Sequence, residues 1–206
     1  MMYRFVFTCL EVSFPLDAFF VGVQNRLFIP PGQLHPNSWE LLVAFKKFWE
    51  ACFFHLMPSS IAKSCSSYLF LHLFAASHCV QEGSWVKTGW TIFNPTSDLT
   101  IFLLEEFDNG FKHEFLKVSS RGSFGEVPLT FTGWADKSLD PSSSIVSGTE
   151  LSDVDRSMLR ALMEWAPEHP VYVASLIQTD VVVLNDCLGN GLDFLWITLT
   201  SDFSCY

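Results

Sequence analysis

Basic residues are scarce in this chain. It carries 12 lysines and arginines against 22 aspartates and glutamates, a formal net charge of −10 over 206 residues. Binding to a phosphate backbone needs a basic face, and no Lys/Arg cluster is longer than Lys46-Lys47. Nucleic acid is therefore disfavoured as a partner. Long apolar runs are also missing. The stretch Tyr68 to Ala76 is only nine residues, whereas a helix crossing a bilayer needs about 20, so no membrane span is expected. The apolar run Phe5–Leu10 is stopped by Glu11 and Asp17 with no small-x-small cleavage pattern, and is not read as a signal peptide. No Asn-x-Ser/Thr acceptor with a permitted middle residue occurs. The six cysteines, Cys9, Cys52, Cys65, Cys79, Cys187 and Cys205, form no short framework. They are read as reduced thiols in an intracellular protein.

Catalytic signatures are missing too. There is no G-x-x-x-x-G-K-[ST] phosphate loop, no G-x-S-x-G elbow, no Asp-Thr/Ser-Gly triplet and no C-x2-C-x4-H-x4-C knuckle. Cys52, His55, Cys65, His72, His78 and Cys79 run as C-x2-H-x9-C-x6-H-x5-H-C, an order that fits no structural zinc pattern. Glu105, Glu106, Asp108 and Glu114 could gather metals for a nuclease, but in an acidic chain they read first as a solvated face. The expectation is no enzyme, no catalytic residue, no cofactor and no metal.

What the chain has is grease. Apolar residues make up 49%, with 21 Phe and 7 Trp, which excludes a disordered chain and favours a surface that associates with partners. The organising stretch is Leu27 to Phe54. A loop, Pro30-Pro31-Gly32-Gln33-Leu34-His35-Pro36, leads into a helix expected over about Ser38–Phe54. Asn37 and Glu40 stand three apart as a capping box. Trp39, Leu42, Val43, Trp49, Cys52 and Phe53 repeat at helical spacing, and Lys46 and Glu50 form an i,i+4 pair off that stripe.

Around it, residues 1–26 read as a helix or two, with Ser13 as a cap, Pro15 in a first turn, and Leu16, Phe19, Phe20 and Val23 on one face. Ile61 to about Leu73 reads as a helix, with a buried strand over Tyr68–Leu71 as the alternative. Between about 85 and 135 a small antiparallel sheet is expected, from Trp85–Phe93, Leu99–Leu104, Phe115–Ser119 and Val127–Trp134. A short helix is expected around Phe107–Phe115. Ser138–Gly148 reads as a surface linker. Ser152 and Asp155 make a second capping box ahead of a helix to about Trp165. Val171–Gln178 starts as a further short helix. The fold class is α+β: N-terminal helices packed on a small antiparallel sheet, with a later helix near 152–165. Residues 1–178 form the domain and 179–206 a divergent tail.

Gln33-Leu34-His35-Pro36-Asn37-Ser38-Trp39, with Phe45 six residues on and Pro58-Ser59 beyond, then Trp85–Phe93, Phe107–Val118 and Trp134 with the helix from Leu151 to Leu162, follow one another in a particular order. In that order they resemble the plant family of gypsy-type transposon proteins, also labelled transposase-like. The resemblance covers roughly residues 3–178, and its specific part is the string from Gln33 to Trp39; the residues expected to form a structural motif are Gln33, Leu34, His35, Pro36, Asn37, Trp39 and Glu40. It implies a non-enzymatic, retrotransposon-derived, gag-adjacent protein that works through self-association or with other retroelement proteins. It implies no catalytic residues. A transposition enzyme fragment or its nucleic-acid-binding part is the alternative, and a decayed element copy without function is a third.

Overall fold

In the computed structural model, the structure describes residues 2–56, 65–80, 87–96, 102–103, 115–116, 144–165, 171–173 and 177. Strand β1 (Met2–Tyr3) runs into helix α1 (Arg4–Thr8), followed by α2 (Ala18–Leu27), a 3-10 turn (Pro31–Gln33) and α3 (Pro36–Leu56). Helix α4 (Ser67–Leu73) passes directly into β2 (Phe74–Val80), and β3 (Lys87–Pro95) returns beside it. Two short strands, β4 (Phe102–Leu103) and β5 (Phe115–Leu116), precede α5 (Asp153–Trp165) and β6 (Val171–Tyr172). Helices on a small antiparallel sheet make this an α+β fold, as the sequence pattern implies.

Helix α3 is the centre. Trp39, Leu41, Leu42, Val43, Ala44, Phe45, Phe48 and Trp49 are all buried, a wider face than the expected stripe. A helix that is apolar nearly all round is one surrounded by protein. Phe45 explains how. Its ring lies 5.8 Å from Phe19, 5.2 Å from Phe70, 6.5 Å from Phe74 and 6.1 Å from Phe102. One side chain thus joins α2, α3, α4, β2 and β4 through edge and stacked contacts. Lys46 and Glu50 pair at 2.5 Å on the open side, and Lys46 also reaches Asp17 at 3.3 Å.

Helix starts follow side-chain chemistry. Asp17 caps α2, its Oδ1 accepting from the amides of Phe19 (3.0 Å) and Phe20 (3.1 Å). This corrects the reading of Ser13 as cap and Pro15 as first-turn residue: both precede the helix, and the carboxylate adjacent to Ala18 takes the role. Ser66 caps α4 through Leu69 N (3.1 Å). The Tyr68–Leu71 run is therefore helical. Helix α2 ends at Phe28, which has φ 54° and donates to Asn25 O and Gln24 O, while Ile29 N returns to Gln24 O at 3.2 Å, a Schellman-type stop. Gly22 lets α2 lie close on α4, because a Cβ there would stand 2.7 Å from Ser67 Oγ.

The strands differ from expectation in three ways. First, β2 and β3 pair antiparallel with Ala76 opposite Phe93, so the sheet begins at Phe74, inside the apolar run that α4 shares. Second, β4 pairs with β6 in parallel, Phe102 opposite Val171, so Val171–Tyr172 is a strand where a helix start was expected. Third, β5 pairs with β1, Tyr3 opposite Phe115, which joins the N-terminus to the middle of the chain. Trp85, Val86, residues 107–114 of the expected Phe107–Phe115 helix, the Val127–Trp134 strand and the tail from 179 lie outside the described residues, while Phe115 is in strand β5.

The expected linker is corrected over its last part. Ser144 and Val146 are buried. Val146 N donates to Leu71 O (3.0 Å), and Val146 O lies 2.8 Å from His72 Nδ1. Ser144 Oγ accepts from Ala76 N (2.9 Å). This strap lays chain from beyond residue 143 across α4 and the outer edge of β2. The second capping box forms as expected. Ser152 Oγ accepts from Asp155 N (3.1 Å), and Asp155 Oδ2 accepts from Ser152 N (3.2 Å).

Candidate functional site

The motif from Gln33 to Glu40 folds as a buried corner between the 3-10 turn and β3. Pro36 occupies the first position of α3, where its fixed φ suits the helix and its missing N–H costs nothing. That choice moves the cap to His35. The His35 carbonyl accepts from Ser38 N (2.8 Å) and Trp39 N (3.2 Å), and its ring Nδ1 accepts from Asn37 N (3.3 Å). The Asn37–Glu40 capping box is therefore corrected. Asn37 lies inside the first turn, too late to cap, and its Oδ1 is buried with no hydrogen-bond partner. Glu40 is half-buried, and burial pushes its carboxyl up to about 7 from 4.5, because a desolvated carboxylate is disfavoured.

The corner is pinned to β3 at one residue. Thr91 O accepts from His35 N (2.9 Å) and from Ser38 Oγ (3.0 Å), and Leu34 makes a parallel bridge to Thr91. The Thr91 side-chain Oγ1 is buried and makes no hydrogen bond. Leu34 and Gln33 are fully buried. Trp39 is buried as expected. Its Nε1 donates to Pro31 O (3.2 Å), and its ring meets Phe20 edge-on at 5.7 Å. His35 packs edge-on against Trp90 at 5.5 Å, and Trp90 in turn faces Tyr3 at 6.4 Å. Burial and then the charge of Cys79 push the Tyr3 hydroxyl up to about 12.

The chemistry of this corner is structural. Ser38 is 2% exposed and its hydroxyl hydrogen is committed to a carbonyl. The His35 nitrogen nearest the chain is committed to an amide. Motif residues 33–39 are thus brought together, and they hold the loop rather than present reacting groups. Of the thiols and imidazoles weighed as a metal site, Cys65 precedes α4, His72 is tied to Val146, and His78 and Cys79 lie on β2; the side chains of Cys52 and His55 lie outside the described residues. No group of three or more possible ligands gathers among the described residues. Among the described residues, Cys9, Cys65 and Cys79 form no disulfide. No helix among the described residues is long and apolar enough to cross a membrane.

A second feature went unread in the sequence. The starts of α2, α4 and α5 converge on a cleft of about 350 Å3 beside Trp49, Cys65, Tyr68 and Asp155. Its parts come from stretches over a hundred residues apart, and only the serines and aspartates at helix starts signal it.

No family model, no curated protein and no solved structure matches this chain.

Proposed function

We propose that the chain acts by protein–protein association, as a non-enzymatic, retroelement-derived, gag-adjacent protein, with self-association as its first mode. The observation that carries this reading is how the motif residues are used. Trp39, Ser38 and His35 spend their polar atoms on Pro31 O, Thr91 O and Asn37 N, so the motif specifies a scaffold. The scaffold leaves large apolar side chains in solvent, Phe28 at 66% and Met163 at 55% exposure among them. Single exposed apolar side chains are ordinary on a protein surface, so these serve as the contact points that the test below replaces. The retroelement origin rests on the Gln33–Trp39 string.

Light scattering on a size-exclusion column, with the full chain at two concentrations, tests the proposal. A discrete oligomer that Phe28→Ser or Met163→Ser shifts toward monomer is the expected result. A clean monomer at both concentrations would overturn self-association, and DNA cleavage dependent on a divalent metal would overturn the non-enzymatic reading.

A further inference from the structure

We draw no further inference here: the strongest candidate, the open hollow at the starts of α2, α4 and α5, has its buried carboxylate, Asp155, already engaged by Ser152 in the cap of α5, and nothing else among the described residues points to a ligand there.

Discussion

Two helix starts carry the same sequence signature and end differently. At α5, Ser152 and Asp155 stand three apart and exchange hydrogen bonds in both directions. At α3, Asn37 and Glu40 stand three apart and exchange none; the cap is His35. The difference is Pro36. A proline suits the first helical position, so it starts the helix one residue before Asn37 and carries the polar pair inside it, Asn37 into the first turn and Glu40 beyond that turn. Burial then acts on residues that gained no partner. A capping signature therefore locates a helix start only to within a turn, and a neighbouring proline decides the residue.

The contrast can be broken at several strengths. The largest effect belongs to Trp39, whose burial the α3 corner depends on. Trp39→Ala should destabilise the chain by about 3–5 kcal/mol in urea unfolding, as for other buried aromatics, and an unchanged midpoint would remove Trp39 from the core. Next comes the working box: Ser152→Ala should lose about 1 kcal/mol, within the usual range of about 0.5–2 for a lost cap, read as a lower melting temperature.

Glu40 sharpens the contrast through pH. Its folded-state value near 7 exceeds the ordinary 4.5, so the folded state holds the proton more tightly. The associated stability is fully present below about 4.5 and is lost as pH rises through 7. Glu40→Gln should therefore raise stability at pH 8, by about 1 kcal/mol after allowance for its partial exposure, and leave it unchanged at pH 4. Equal effects at both pH values would show that burial does not act on this carboxyl. The smallest effect is at the failed cap. Asn37→Ala removes an unpartnered oxygen and improves helix propensity, so it should fall within about 0.5 kcal/mol of zero or stabilise. A loss of about 1 kcal/mol would show that Asn37 does cap.

Local chemistry was readable and long-range pairing was not. The α3 helix, the buried Trp39, the Lys46–Glu50 pair and the Ser152–Asp155 box each rest on residues within one or two turns. The β2 strand was hidden because Phe74-Ala75-Ala76 continues the apolar run of α4 with no glycine or proline between them. The strap was hidden because its serines read as loop, while Val146 is buried by contacts with Leu71 and His72. The parallel pairing of Val171 with Phe102 has no local signal at all. For the cleft, the same limit holds: Asp155 reads as a cap in sequence, and only the fold shows that it lines the same hollow as Trp49.

The strap also has a consequence for the order in which the chain is made. Ser144 Oγ both accepts from Ala76 N and donates to Ala76 O, across 68 residues of sequence. At Ala76 the outward edge of β2 is therefore closed, among the described residues, by a side chain that leaves the ribosome well after the strand. At about 5–20 residues per second, that interval is roughly 3–14 s. Through it a nascent chain shows an uncapped strand edge beside one of its greasiest segments, the situation that invites edge-to-edge pairing. Translation should accordingly be this protein's most aggregation-prone moment. Ribosome-bound chains stalled before Ser144 should recruit more chaperone than chains stalled well after Glu150, and equal recruitment would show that the edge is protected by other means.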